Sequence, residues 1–393
     1  MEDNIILWDA DSRTNLLPFT YTRPAGAIRV GILTIAEKYQ KYLGGRINFL
    51  SRDFHPDQIE DTNLVIRANA LPDSSLIKAI TDLKSGEILI ENDIFIAGKF
   101  HKDIVAQILE TTHLESHKVV KYTGARFIRH IWDIFSENEQ EILHDFELLT
   151  RGRKSQPIHG SNYVKGSQII FIEEGAIVEN ASLNATAGPI YIGKDAEIME
   201  GALIRGPFSL GEHSVVKMGA KIYGGTTIGP HCKVGGEITN SVFFGYSNKG
   251  HDGFIGNAVI GEWCNIGADS NNSNLKNNYD EVKVWSYAKQ GFVNTGLQFC
   301  GLFMGDHSKC GINTMFNTGT VVGVSANVFG SGFPRNYIPS FSWGGTSGFI
   351  TYKLDKALET AERVMARRHK KLSDQDKNLF KSIFEETSSH RNF

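Results

Sequence analysis

The sequence predicts an α/β domain over residues 1–150, a left-handed parallel β-helix over 151–350 and a C-terminal helical tail over 351–393. Three observations carry that reading. Short apolar runs alternate with helical patterns in the first part, aliphatic residues recur every six positions in the second, and the chain beyond residue 353 is charged and amphipathic.

The bounds are those of an ordinary globular chain. At 393 residues there is room for two or three domains, each with its own core. Hydrophobic residues make up 41% and charged residues 22%, and the formal net charge is -3. That balance offers no electrostatic argument for nucleic acid or an anionic membrane. No apolar run approaches the roughly 20 residues a membrane helix needs. The first residues (MEDNIILWDADSRT) start acidic and lack a basic region followed by an apolar stretch, so no signal peptide is read there. Cys232, Cys264, Cys300 and Cys310 lie far apart without a metal-binding spacing. They are read as reduced structural thiols, and the expected location is cytoplasmic.

In the first domain, apolar runs at 5–8, 47–50, 64–66 and 88–90 alternate with helical patterns at 31–43, 74–83, 102–111 and 125–147. Such alternation predicts a layered domain with a largely parallel sheet. Residues 151–156 (RGRKSQ) are polar and read as a linker.

The second domain rests on a repeat of six. Ile192, Ile198, Ile204, Leu210, Val216, Ile222, Ile228 and Val234 follow one another at six-residue intervals, several with glycine next in sequence. The period returns at Phe254, Ile260 and Ile266, and again at Ile312, Thr318 and Val324. Six matches neither a helix at 3.6 nor a sheet face at 2. It matches a prism whose every side supplies one inward aliphatic residue and one corner. Three sides close a turn and place Ile192 above Leu210 above Ile228. Burying that column stabilises the coil at about 25 cal/mol per Å² of apolar surface. The register slips between Val234 and Phe254, and a longer interruption spans 271–302. Loops thrown out of a regular coil are where chemistry is expected.

The tail from Leu354 to about Glu386 predicts one or two helices packing on the coil's open end. Its basic run, Arg367 to Lys371, reads as a solvated helix face or as a phosphate contact.

Over Lys249-Gly250-His251-Asp252-Gly253-Phe254-Ile255-Gly256 and Ile260-Gly261-Glu262-Trp263-Cys264-Asn265-Ile266-Gly267-Ala268 the chain resembles the acetyltransferase domain of the GlmU family, bifunctional enzymes that make UDP-N-acetylglucosamine. The resemblance implies roles residue by residue. His251 falls on the general base, and histidine suits the removal of a proton from an attacking amine. Glu237 falls on the carboxylate that orients the imidazole. Ala268 falls on the backbone N–H that stabilises the oxyanion, and Asn274 on a coenzyme A contact. Asn265 falls on a sugar-phosphate contact, or alternatively caps a corner of the coil. Lys221 stands where the family has a phosphate-binding arginine, and Phe254 where it has a tyrosine at the sugar site. Thr239 replaces a lysine and Leu275 an aromatic residue.

Residues 17–24 (LPFTYTRP) and 28–33 (IRVGIL) resemble the signature of sugar-1-phosphate nucleotidyltransferases, in a shortened domain. There the resemblance assigns Arg13 and Arg23 to the nucleotide phosphates. The magnesium-binding aspartate position reads Ala70, with Asp73 the nearest carboxylate. In order over residues 5–345, the chain resembles a short-N-domain variant of the family. The resemblance implies a homotrimer, acetyl-CoA as acyl donor, glucosamine-1-phosphate as acceptor, and UTP with Mg²⁺ at the other site. The leading expectation is therefore acetyl transfer at the coil and uridylyl transfer in the first domain. Two alternatives stand beside it: a sugar-1-phosphate nucleotidyltransferase with the coil as scaffold, and a sugar-nucleotide sensor without chemistry.

Overall fold

The computed structural model describes residues 4–57, 59–105 and 118–393. The chain divides into two compact units, Met1–Ile28 with Leu33–His130, and Arg29–Ile32 with Ile131–Phe393.

The first unit is built on a six-stranded sheet in the order β2-β1-β3-β6-β5-β7. Its strands are β1 (Asn4–Trp8), β2 (Ile47–Leu50), β3 (Thr62–Arg67), β5 (Glu87–Glu91), β6 (Ile94–His101) and β7 (Lys118–Lys121), while β4 (Ala70–Leu71) pairs with β8 (Arg126–Phe127) apart from the sheet. All of β1 is buried, which is why it reads as a continuous apolar run. The apolar runs at 5–8, 47–50, 64–66 and 88–90 all fall in strands. The sheet is more mixed than the alternation suggested. β1 runs parallel to β2 and β3, but β6 runs antiparallel to both β3 and β5. The reason is a hairpin: Asn92 and Asp93 both adopt positive φ, as a tight turn requires, and fold β6 straight back onto β5.

Helix α1 (Ile35–Leu43) starts with a capping box in which Thr34 Oγ1 accepts from Glu37 N and Glu37 Oε2 accepts from Thr34 N. Helix α2 (Ser74–Thr81) starts at Asp73. The helical pattern at 102–111 lies outside the described residues from position 106 onward.

The second unit is a left-handed parallel β-helix of three sheets, nine, ten and six strands wide. Ile192 pairs with Leu210 and Leu210 with Ile228, the column the six-residue period predicts. None of the eight aliphatic residues from Ile192 to Val234 is more than 2% exposed. Truncating one to alanine would cost about 2–5 kcal/mol.

Beyond Val234 the phase differs from the sequence reading. Ile222 pairs with Ile238 and Val234 with Lys249, so these turns are shorter than eighteen residues. The inward residue of the next strand is Ile255, paired with Ile238, and Phe254 faces outward, half-buried. After the interruption the column continues through Met304, Cys310, Phe316, Val322 and Val328. Ile312 lies at a corner and is 68% exposed, so the phase through Ile312, Thr318 and Val324 is off by two residues. The cause is that Cys310 occupies an inward position without being aliphatic. The interruption carries an antiparallel hairpin of Lys283–Ser286 with Gly291–Asn294.

The segment Arg29–Ile32 and the helix Asn138–Thr150 belong with the coil. Gly31 N donates to Asn138 Oδ1 (2.7 Å), Ile32 N to Asp145 Oδ2 (2.8 Å), and Asn138 Nδ2 to Gly225 O (2.7 Å). These bonds satisfy polar groups that burial would otherwise leave unpaired. The tail forms two helices, Leu354–Ala366 and Asp374–Glu386. They lie along the side of the coil rather than over its end. Phe380 packs edge-on against His307 at 5.0 Å and against Phe341 at 6.3 Å, and Arg368 reaches Asn248. The strand Ser342–Gly345, folded back as a hairpin onto Gly348–Thr351, continues the widest sheet beyond Asn327–Val328 and ends it.

Candidate active site

The site is built where the coil becomes irregular. Lys249 takes an inward position paired with Val234, and its side chain is fully buried. Its Nζ donates to the carbonyl oxygens of His251 (2.6 Å) and Asp252 (3.0 Å). Burial pushes this ammonium down to about 8, against the opposing pull of Asp252. The amine thus fixes the loop from beneath, leaving the side chains of His251 and Asp252 exposed.

Two asparagines hold the other end of the loop. Asn271 Oδ1 accepts from Phe254 N (2.7 Å). Asn272, also inward and buried, accepts from Gly256 N and donates to Gly256 O, both at 2.9 Å. Gly253 adopts φ +114, and a Cβ there would lie 2.2 Å from Ser270 O, so only glycine fits.

His251 opens into a cavity of about 690 Å³ shared with Asn248, Asn265 and Ala268. Asn265 is exposed on its strand, where its N donates to Ser308 O. Ala268 lies at the following corner, its carbonyl accepting from Asn313 N. One wall contains Tyr246 and Trp263, members of a stack that climbs one corner of the coil. Ring centroids are 5.0 Å apart from His213 to His231, 4.7 Å from His231 to Tyr246, 4.2 Å from Tyr246 to Trp263, and 6.1 Å from Trp263 to His307. All five have positive φ, a conformation of order 1–3 kcal/mol above the usual basins, which the stacking offsets in part. The six-residue aliphatic period does not report this stack, which lies at the corners. Its signal is an aromatic or histidine two residues after a corner glycine, as in Gly211-Glu212-His213, Gly229-Pro230-His231 and Gly261-Glu262-Trp263.

The other expected residues fall elsewhere. Lys221, Glu237 and Phe254 form one register column on the six-stranded face. Glu237 N donates to Gly253 O at 3.1 Å, but the carboxylate of Glu237 and the imidazole of His251 share no hydrogen bond. Asn274 Nδ2 donates to Asn257 Oδ1 (2.8 Å), and with the Phe254 ring it crowds Gly256, where a Cβ would meet both within 2.8 Å.

In the first unit, Arg13 pairs with Asp53 at 3.1 Å and lies over the Tyr21 ring, while Arg23 is buried. Asp9 is buried beside them. Its Oδ1 accepts from Ala25 N at 2.9 Å, and burial raises the carboxyl to about 7 despite that bond and Arg13. Asp73 Oδ1 accepts from Leu76 N at 2.8 Å as the cap of α2. Among the described residues no group of three His, Cys, Asp or Glu could hold a metal ion. At the position where the resemblance places the metal ligand, Ala70 offers no carboxylate, and Asp73 is engaged as a helix cap.

Residues 5–154 match the family model described as sugar nucleotidyl transferase. A bifunctional sugar-1-phosphate nucleotidylyltransferase/acetyltransferase of Sulfurisphaera tokodaii is 34% identical over 157 residues, 39% of this chain and 38% of that protein. YaiX of Escherichia coli K12, described as an uncharacterised acetyltransferase, is 34% identical over 148 residues, 37% of this chain and 64% of that one. The matched segments therefore span less than two thirds of either relative. Among solved structures, the polySia-specific acetyltransferase NeuO superposes with a TM-score of 0.28 at 14% identity, over 51% of this chain and 98% of its own. Within this chain, similarity to sugar nucleotidyl transferases thus covers the first unit and runs past it to residue 154.

Proposed function

We propose that the coil transfers an acetyl group from acetyl-CoA to the amine of glucosamine-1-phosphate, with His251 as general base. The supporting observation is that His251, Asn265 and Ala268 share one cavity, and a buried lysine anchors the histidine's own carbonyl. In the proposed step the amine nitrogen attacks the thioester carbonyl while its proton passes to the imidazole. A backbone N–H at Ala268 stabilises the oxyanion, the carbon–sulfur bond breaks, and the thiolate leaves with a proton. Glu237 is assigned to orient His251, Asn265 and Lys221 to the sugar phosphate, Phe254 to the sugar ring and Asn274 to the coenzyme. The first unit, with Arg13 and Arg23 toward the triphosphate, is assigned uridylyl transfer from UTP to N-acetylglucosamine-1-phosphate. A homotrimer and a cytoplasmic location belong to the same reading.

The test is mass spectrometry of one reaction containing glucosamine-1-phosphate, acetyl-CoA, UTP and Mg²⁺. UDP-N-acetylglucosamine supports both halves; N-acetylglucosamine-1-phosphate alone supports the coil's half. His251→Ala should lower acetyl transfer by at least 10²-fold with the thermal midpoint unchanged. A variant that keeps most of its rate overturns the assignment of the base.

A second reading has a specific observation behind it. Asp73 is engaged as a helix cap, and no carboxylate cluster accompanies it among the described residues. That favours a first unit that binds a sugar nucleotide without turning it over. UTP binding without pyrophosphate release would select it.

A further inference from the structure

The cavity that receives His251 is also the meeting point of five cationic side chains. Lys217, Lys233 and Lys309 come from the coil, and Arg367 and Arg368 directly follow the helix Leu354–Ala366; among the described residues no carboxylate lines it. Two of the five have partners. Lys309 Nζ donates to His307 O at 2.7 Å, and Arg368 donates to Asn248 Oδ1 at 3.2 Å. Lys217, Lys233 and Arg367 make no ion pair and no side-chain hydrogen bond among the described residues. Burial, then the charges of Arg368, Lys217 and Arg367, depress the Lys233 ammonium, and Glu197 opposes them only weakly.

Like charges brought together without counterions raise the energy of the folded chain unless an anion joins them. Cations near a helix C-terminus do offset its partial negative charge, which gives Arg367 and Arg368 a structural use. It gives none to Lys217 and Lys233, which come from successive turns of the coil and face the same space.

We propose that Lys217, Lys233 and Arg367 form a phosphate-binding site that holds a phosphate group of a substrate presented to His251. Its designation as a substrate site rests on the reading of His251 as base; the anion site itself does not. Two sources carry the required chemistry: the diphosphate and ribose phosphate of the acyl-thioester coenzyme, and the 1-phosphate of the sugar. In either case the helical tail supplies part of the active site.

Calorimetry on the full chain tests this with three probes. Inorganic pyrophosphate reads the anion site without regard to any reaction. It should bind the wild type in a salt-dependent manner, and Lys233→Ala and Arg367→Ala should each weaken it roughly tenfold, with Arg367→Lys restoring much of the loss. Unfolding midpoints of the two alanine variants should be no lower than that of the wild type, since each removes a repelling charge, and this separates lost binding from lost folding. Coenzyme A and glucosamine-1-phosphate then identify the source, as the probe whose affinity falls in the same variants. Absence of pyrophosphate binding, or binding undiminished in both alanine variants, overturns the proposal. Pyrophosphate binding that follows the variants while neither substrate binds upholds the anion site and overturns the reading of His251.

Discussion

Replacing Lys249 by methionine separates what a buried charge does to stability from what it does for the site. The methionine is of similar length and enters an inward position between apolar neighbours, so little volume changes. In the wild type, holding the ammonium at about 8 rather than its ordinary 10.5 corresponds to about 3 kcal/mol. The substitution removes this burden but leaves the carbonyls of His251 and Asp252 without their donor. Each lost bond costs about 1 kcal/mol where water can take its place. The two effects nearly cancel, so chemical denaturation at pH 7 should find the variant within about 1 kcal/mol of the wild type.

Activity should not be spared. The loop that carries His251 loses its anchor, and a displacement near 1 Å reduces rates on the order of 10²-fold. A third readout is pH. A lysine whose folded pKa lies below its unfolded one is protonated in both states below pH 8, where its penalty is complete. Between about 8 and 10.5 the unfolded chain binds more protons than the folded one, so stability rises with pH. Lys309, also pushed down to about 8 by burial, contributes a rise of the same sign. Lys249→Met should therefore remove part of the alkaline rise and leave the Lys309 part. Full acetyl-transfer activity, an unchanged alkaline rise, or destabilisation beyond about 4 kcal/mol would each refute the reasoning.

Substitutions at two further positions probe the first unit. Asp9→Asn keeps an acceptor for Ala25 N but removes a carboxyl raised to about 7. The folded wild type binds the extra proton between pH 3.8 and about 7, so its stability falls over that window by up to about 4 kcal/mol. The variant should show a flatter profile by denaturant titration across pH 4–8, and an unchanged slope would sink the account. At Asp73, alanine should cost about 1 kcal/mol through the lost cap, whereas asparagine should be neutral within about 0.5 kcal/mol. If Asp73→Asn instead abolishes Mg²⁺-dependent pyrophosphate release at unchanged stability, the carboxylate is serving a metal and not only the helix.

The regular part of the coil was legible because a single quantity, inward burial, governs every sixth residue from Ile192 to Val234. Where inward positions need not be aliphatic, the same rule loses phase. Cys310 is inward, and Ile312, which continues the aliphatic pattern better, is at a corner. In the first unit each predicted strand forms, and β6, itself apolar over Ile94–Ala97, is set apart from the run at 88–90 only by the turn residues Asn92 and Asp93, which a count of apolar residues passes over. At the candidate site, His251, Asn265 and Ala268 were picked out by resemblance and do line one cavity. Glu237 was picked out in the same way, yet it makes no hydrogen bond to His251 in the single chain.

The groups that shape the loop were legible only as exceptions. Lys249 and Asn272 stand at inward positions just where the turns shorten, and an apolar-period reading passes over both. Their placement has one physical cause. A chain leaving a regular ladder exposes carbonyls and amides that the next turn no longer satisfies, and burial of such groups is unfavourable unless they find partners. An aliphatic residue cannot provide them. An ammonium beneath His251 and a carboxamide beside Gly256 can, and they hold the departing loop without lengthening it. A polar residue in an aliphatic hexad phase, next to a slip in that phase, therefore marks where such a coil diverts its backbone, and here the diverted backbone carries the histidine.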